Sequence, residues 1–447
     1  MVSRRELLRI GAAAAGSLAL RSFGASEARA QTGSDYRALV CVFLYGGNDS
    51  NNLIVPQDSE RYRAYVSLRG PLALQGRQLT VPVFSKTGNS AYAFHAGLAE
   101  LAQHFSSREL AVVANIGSLV QPLTAAQYQG HTAPIPRNLF SHVDQQLQWQ
   151  TSIANADSAT GWAGRASDKL AAANTSGFPM FISTAGNCVL GTGEQTQPLC
   201  VNPGQSLSVP TLTGSANANQ RTAIQALSNL DDSALLVKQS NQVMASLLSA
   251  GQTLNAALAQ TKALRTAFPA TELGNQLQQI AQVIQARGTL GVNRQIFFCA
   301  LGGFDTHAAQ LETQNALYPQ LSKGLAAFYS ALVEMGVENK VVTFTASEFS
   351  RTFQPTSQGD GSDHGWGGHQ IVLGGSVAGG DVYGSLPRFD LTGPDDAGDG
   401  RGRWVPTISV DQYAATLLSW LGVSAADLPA ILPNFKNYPA GLLGFLG

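Results

Sequence analysis

Residues 36–45, YRALVCVFLY, form an almost unbroken run of apolar, β-branched and aromatic side chains. Such a run is typical of a strand that is buried on both faces, as in a parallel sheet covered by helices. The run ends at residues 46–49, GGND, a cluster that predicts a turn. We therefore predict that the central sheet of the protein begins here.

Further apolar runs predict more buried strands, with helical stretches between several of them. The predicted strands are residues 110–116, 178–183, 294–301, 340–345 and 370–373. The predicted helices are residues 96–105, 141–151, 163–173, 311–335 and 410–421. Alternation of strands and helices favours an α/β fold with a mostly parallel central sheet that is flanked by helices.

Residues 218–288 differ from the rest of the chain because they are rich in Gln, Ala and Leu and have no strand pattern. They predict two or three helices with a break near residues 267–270, where Pro269 disfavours a continuous helix. The segment is either a helical insertion that caps the sheet and can receive a protein partner, or a pair of surface helices within one domain.

The N-terminus has the pattern of an export signal. Arg4 and Arg5 precede an apolar run at residues 10–20, and residues 28–30, ARA, offer a small-residue cleavage site. We predict a twin-arginine signal peptide over residues 1–30 that is read by the twin-arginine export machinery. An ordinary secretory signal with chance arginines is the alternative. The domain over residues 31–447 is then periplasmic or secreted, with no stable membrane anchor after cleavage.

Charge and cysteine content exclude several classes of protein. The formal net charge of −1 argues against a surface for nucleic acid or anionic membrane. Cys41 and Cys299 lie in apolar runs and are predicted to be buried thiols. Cys188 and Cys200 flank a glycine-rich loop, where they either form a disulfide or stay free. The absence of a C-x-x-C motif removes support for thioredoxin-like, haem c and zinc-ribbon proteins.

Acidic and imidazole side chains follow the predicted strands. Loops at the carboxyl ends of parallel strands gather at one edge of the sheet, where ligands bind. Mixed carboxylate and imidazole ligands suit zinc, manganese or iron better than calcium, so we predict one or two such ions. Glu348 has a second interpretation as a salt-bridge partner of Arg351. The candidate metal ligands are Asp49, Asp305, His307, Glu348, Asp363, His364 and His369.

Ser141 is the candidate nucleophile. It lies where a helix is predicted to begin, with His142 and Asp144 close by in the sequence SHVD. Serine is a favoured N-cap residue, which is the structural alternative. The free N–H groups of a helix N-terminus also favour an ionised hydroxyl and a bound phosphate or sulfate. The two roles are compatible.

Several motifs together resemble the secreted domain-of-unknown-function 1501 family. They are GGND at residues 46–49, SH-x-D-x-Q at 141–146, GGFDTH at 302–307, SDHGWGGH at 362–369 and RWVPTISVDQYAATLLSWLG at 403–422. The family usually reads EFGR where this chain has EFSR at residues 348–351. The family is thought to resemble the alkaline phosphatase and sulfatase superfamily. That resemblance implies an alkaline-phosphatase-like sheet and, often, two metal ions over a nucleophile.

The resemblance also implies roles for individual residues. Asp49 would be the metal ligand after the first strand, and Ser141 the nucleophile. Asp305 and His307 would bind one metal. Asp363, His364 and His369 would complete the pair of sites, while either Glu348 or Asp363 takes the place of the late aspartate.

These expectations predict an exported metal-dependent hydrolase of phosphate or sulfate esters, acting on a small-molecule or polymer substrate with Ser141 as nucleophile. The alternative is a non-catalytic envelope protein that keeps the fold and binds a partner or serves as a scaffold. The sequence alone leaves both open.

Overall fold

The computed structural model describes residues 35–88, 90–205, 222, 226 and 235–447. The predicted signal peptide over residues 1–30 lies outside the described residues, as does much of the first part of the segment 218–288. The described residues of Tyr36–Gly447 form one compact unit. Among them, no helix has both the length and the apolar character needed to cross a membrane.

A mostly parallel sheet forms the centre of the protein. Its described strands are β1 Arg37–Leu44, β5 Leu110–Gly117, β6 Phe181–Ser183, β7 Leu199–Cys200, β8 Arg294–Leu301, β9 Val341–Ala346, β10 Gly368–Leu373, β11 Val382–Tyr383 and β12 Ile408–Ser409. In the described part of the chain the strand order is β11-β5-β10-β9-β1-β8-β6-β7, and β12 also pairs with β5. Among these strands, only β10 runs antiparallel to its neighbours, β5 and β9. A smaller antiparallel sheet consists of β2 Ile54–Pro56, β3 Val83–Phe84 and β4 Ala91–Phe94.

Helices cover both faces of the large sheet, so the mixed α/β class is confirmed. The described helices are α1 Ser59–Arg69, α2 Ala99–Ser106, α3 Ala125–Gln129, α4 His142–Thr151, α5 Trp162–Lys169, α6 Leu235–Leu258, α7 Glu272–Gln285, α8 Arg287–Leu290, α9 Gln310–Glu334, α10 Val410–Leu421 and α11 Leu428–Ile431. Val40 and Val42 of β1 lie in a core shared with α2, α7 and α9. Leu39 and Cys41 lie in a second core with α5 and α10.

The helical segment at 218–288 contributes to the cover of the sheet. Within its described residues, α6 and α7 are separated by a loop that contains Pro269. Leu277 and Ile280 of α7 are fully buried in the same core as Val40. The second helix of the segment is therefore part of the layer that covers the sheet.

The cysteines are all free thiols. Cys41 and Cys299 are buried, as predicted, on the neighbouring strands β1 and β8. Cys188 and Cys200 are half-buried, and Cys200 Sγ lies 3.0 Å from Asn187 Oδ1. The structure therefore does not form the disulfide that the sequence left open.

Candidate metal centre

The loops after β1, β8 and β9 meet at one edge of the sheet. Because these three strands are adjacent and parallel, their carboxyl ends lie side by side. Gly46, after β1, has a φ of +113°, and a Cβ there would lie 2.3 Å from the backbone nitrogen of Asp305. Only glycine allows the first two loops to approach this closely.

Three imidazoles and one carboxylate converge at this edge. The Nε2 atom of His364 lies 3.1 Å from Nε2 of His142 and 3.1 Å from Nε2 of His307. Asp305 Oδ1 lies 3.1 Å from His307 Nε2 and 3.5 Å from each of the other two Nε2 atoms. Tetrahedral bonds of about 2.0–2.1 Å place ligand atoms about 3.3 Å apart, so these five separations suit a metal such as zinc. The ligand atoms of His142, Asp305 and His364 all lie within 4.8 Å of one another. We call these four residues the four-ligand cluster.

The other nitrogen of each imidazole is held by an acceptor. A carboxylate or carbonyl oxygen only accepts hydrogen bonds, so each Nδ1 is placed to donate. A neutral ring in that tautomer presents the lone pair of its Nε2 to the cluster. Histidines that bind metals are usually oriented in this way. The acceptors are Glu348 Oε1 at 2.8 Å from His142, Asp363 Oδ1 at 3.1 Å from His307 and the Phe140 carbonyl at 2.7 Å from His364.

One side of the cluster is open to solvent. The side chains of Asp305 and His307 are 46% and 47% exposed, whereas those of His142 and His364 are 26% and 23% exposed. An ion held by three of these residues, such as His142, Asp305 and His364, would therefore keep its fourth position for a further ligand, which is the arrangement of catalytic metal sites.

The protein shifts the acidity of these groups in different directions. Burial raises the pKa of Asp305, but the hydrogen bond and charge of Arg351 outweigh it, so the pKa lies below its usual value. The hydrogen bond to Glu348 raises the pKa of His142. Burial lowers the pKa of His364. These shifts favour the ionised form of Asp305, the protonated form of His142 and the neutral form of His364.

Glu348 and Asp363, predicted as ligands, lie behind the cluster as hydrogen-bond partners. Glu348 Oε1 also accepts from the Gly46 backbone N–H and from Gln146 Nε2, both at 2.9 Å, and its side chain is fully buried. Asp363 Oδ2 is paired with Arg401. The salt bridge from Arg351 goes to Asp305 at 2.7 Å rather than to Glu348.

Asp49 lies outside the cluster, in the protein interior. Its carboxylate forms a fully buried ion pair with Arg69. It also accepts from Gln310 Nε2 at 2.6 Å and from Asn51 Nδ2 at 2.9 Å. These donors occupy the oxygens that a metal ion would need, so the structure places Asp49 in a structural network instead of at the centre.

His369 lies outside the cluster as well. It is a fully buried residue of β10, and its Nδ1 accepts from the Asn115 backbone N–H at 3.0 Å. Burial lowers its pKa to about 4. A neutral, buried imidazole with a backbone partner needs no metal to explain it.

His142 is the site residue that the sequence analysis missed. It is the first residue of α4, directly after Ser141. The SHVD motif could have identified it, because an imidazole at the start of a predicted helix is a candidate metal ligand. The packing of α4 against Glu348, 206 residues away in the chain, brings it to the cluster.

Ser141 caps α4. Its Oγ accepts from the Asp144 backbone N–H at 3.4 Å and donates to Asp144 Oδ2 at 2.5 Å. The helix-cap role that the sequence offered as the alternative for Ser141 is therefore observed. The cap does not exclude a role as nucleophile, and Ser141 directly precedes His142. The nucleophile role therefore stays a prediction.

The fold and the cluster define a mixed α/β protein with a candidate metal centre. The chain belongs to the family described as "Protein of unknown function (DUF1501)", whose model matches residues 36–397. The comparison with curated proteins gives no match.

Two solved structures are distantly similar to the chain. The crystal structure of Ps i-CgsB in complex with k-i-k-neocarrahexaose has 9% sequence identity and a TM-score of 0.33, with 90% of this chain and 77% of that chain covered. The crystal structure of Ps i-CgsB also has 9% identity, with a TM-score of 0.32, 91% of this chain and 78% of that chain covered.

Proposed function

We propose that the chain is an exported metal-dependent hydrolase of phosphate or sulfate esters, with an alkaline-phosphatase-like sheet and one divalent metal ion in the four-ligand cluster. One observation carries the proposal: three Nε2 lone pairs meet at the cluster, and each Nδ1 faces an acceptor. In neutral rings, lone pairs 3.1 Å apart repel one another, and a metal cation among them removes the repulsion, as a proton on one ring also does. The proposal places that cation beside Asp305.

The donor set supports zinc, manganese or iron. Three imidazole nitrogens and one carboxylate oxygen are the ligands these ions take, whereas calcium prefers oxygen alone. A bound ion of this type supplies Lewis-acid activation and charge neutralisation for ester hydrolysis. The chain's own contribution is to hold the imidazoles in one tautomer and to keep Asp305 ionised through Arg351.

Ser141 remains the proposed nucleophile because it directly precedes His142 and because its hydroxyl donates a hydrogen bond to Asp144 Oδ2 at 2.5 Å. Ser141→Ala is then expected to abolish ester hydrolysis and leave the metal content unchanged. Thr271→Ala, which removes the cap of α7, is the matched control for the loss of a cap. If Ser141→Ala hydrolyses esters as fast as the wild type, the residue only caps the helix.

The function itself is tested by assaying the metal-loaded protein against aryl phosphate and aryl sulfate esters. Hydrolysis that is lost on chelation and restored by one metal supports the proposal. A metal-loaded protein that hydrolyses neither class of ester contradicts the hydrolase proposal. The N-terminal sequence of the exported protein tests the cleavage after residue 30.

A non-catalytic scaffold is the second candidate. The observation that favours it is an apolar exposed set on α6, where Val237, Val243 and Leu247 are 41%, 45% and 38% exposed. This candidate expects another exported protein to co-purify with the wild type and to be lost from a variant with Val243→Ser and Leu247→Ser. It also expects no ester hydrolysis with any metal.

A further inference from the structure

The metal centre carries an excess of negative charge before any ion is bound. Asp305 is itself part of the cluster, and Glu348 and Asp363 contact its imidazoles. Two guanidinium groups also contact it, from Arg351 to the Asp305 carboxylate and from Arg403 to the backbone carbonyl of His364. Acidic side chains therefore exceed basic ones by one, and a divalent cation reverses the sign.

The next layer of contacts leaves this balance unchanged. Arg401 pairs with Asp363, and Asp399 pairs with Arg403. One positive and one negative group are added, so a divalent ion still leaves the loaded centre with an excess of one positive charge. A loaded centre of this kind attracts anions, whereas the metal-free centre repels them.

Two of the three arginines are committed to the protein. The Arg351 side chain is fully buried, and it donates to the Asp305 carboxylate and to the carbonyls of Gly46 and Ser362. Arg403 donates to the His364 carbonyl and lies 4.5 Å from the centroid of the Phe140 ring. Neither guanidinium is available to a ligand in this arrangement.

Arg401 is different. Within the part of the chain that the structure describes, its guanidinium contacts only Asp363, through Nη1, and its side chain is 31% exposed. Asp363 in turn accepts from His307 Nδ1 at 3.1 Å. Because the Asp363 carboxylate contacts both His307 and Arg401, it places Arg401 beside the open side of the cluster. The Nε and Nη2 atoms of Arg401 are then available as donors.

We infer that Arg401 is the contact residue for an oxyanion that binds next to the metal, and that this binding requires the metal. The inference rests on the proposed function, for which it names the recognition element: an anionic group whose oxygens take the Nε and Nη2 hydrogens of Arg401. Arg401 then recognises the charged group of the substrate, while Asp363 holds the guanidinium in place.

The test is calorimetric titration of inorganic phosphate into metal-loaded protein, with the metal content measured on the same samples. The wild type is expected to bind phosphate, and the metal-free wild type is expected to bind it at least about 10-fold more weakly. Arg401→Gln is expected to keep its metal and to bind phosphate at least about 10-fold more weakly. Arg388→Gln is the matched control, because Arg388 pairs with Asp395 away from the cluster.

Three results overturn the inference. Equal phosphate affinity in Arg401→Gln and wild type shows that Arg401 does not contact the bound phosphate. Loss of metal from Arg401→Gln shows that the residue acts only by positioning Asp363. A wild type that holds metal but binds no phosphate contradicts the anion site and is still consistent with the metal centre. A wild type that takes up no metal contradicts the proposed function itself.

Discussion

The Nε2 atoms of His142 and His364 lie 3.1 Å apart, although one ring comes from the start of α4 and the other from the loop before β10. Each ring already gives its Nδ1 proton to an acceptor, Glu348 for His142 and the Phe140 carbonyl for His364. Two neutral rings in this arrangement have no proton to share. The contact therefore supports the proposed metal ion, and the predictions below follow from that proposal.

Replacement of Glu348 by Gln is expected to weaken metal binding about 10- to 100-fold, the usual cost of losing the partner of a metal-bound histidine. Gln keeps the shape and an acceptor oxygen but loses the charge that orients and polarises His142. Competition with a fluorescent chelator measures the affinity. Glu109→Gln is the control, because Glu109 pairs with His104, outside the cluster. Equal affinity in the Glu348 variant and the wild type would show that Glu348 has no influence on the ion.

Asp49→Asn is expected to lower the free energy of unfolding by about 3–5 kcal/mol, because it leaves the buried Arg69 guanidinium without its counter-charge. Metal stoichiometry is expected to stay at the wild-type value, since Asp49 lies outside the cluster. Urea unfolding and metal analysis on the same preparation check both statements. Loss of the metal without loss of stability would restore Asp49 as a ligand.

Asp411 gives the protein a pH dependence that is independent of the metal centre. Burial raises the pKa of this carboxyl group to about 7, and its Oδ1 atom has no hydrogen-bond partner among the described residues. In the unfolded chain the pKa is about 3.9. The folded state therefore binds the proton more tightly, and the free energy of unfolding falls as the pH rises from about 4 to about 7.

Asp411→Asn removes this dependence. The variant is expected to gain stability relative to the wild type across that pH range, by up to about 4 kcal/mol at neutral pH. Urea unfolding of metal-free wild type and variant at pH 5 and pH 8 measures the difference. A difference that is the same at both pH values contradicts the raised pKa.

The strands and helices were predictable because their patterns are local. β8 and α10 have the predicted bounds. The β-branched and aromatic run of β8 defines its two ends, and the Ser409 cap and the glycine that follows the helix define those of α10. β6 is shorter than predicted and begins at Phe181, because Pro179 has no N–H for a strand ladder. The mostly parallel order followed from the alternation of these elements.

The site was predictable only in outline. Asp305, His307 and His364 were identified because they follow strands whose carboxyl ends converge. The distinction between a ligand and its hydrogen-bond partner depends on distances near 3 Å, which decide the roles of Glu348 and Asp363. Sequence patterns do not carry that information.

Two further differences arise from contacts between distant parts of the chain. Asp49 is neutralised by Arg69 from α1, and no spacing rule connects a loop residue with that helix. His142 was overlooked because the SHVD motif was interpreted through its neighbour Ser141, as a nucleophile or a helix cap. Only the packing of α4 brings its imidazole to Asp305.

Metal analysis of the purified protein, wild type beside His142→Ala, tests the central claim most directly. The wild type is expected to hold about one equivalent of zinc, manganese or iron after incubation with the metal, and His142→Ala is expected to lose it. His104→Ala, outside the cluster, is expected to behave as the wild type. A wild type without metal, or a His142→Ala variant that keeps a full equivalent, would contradict the proposed metal centre.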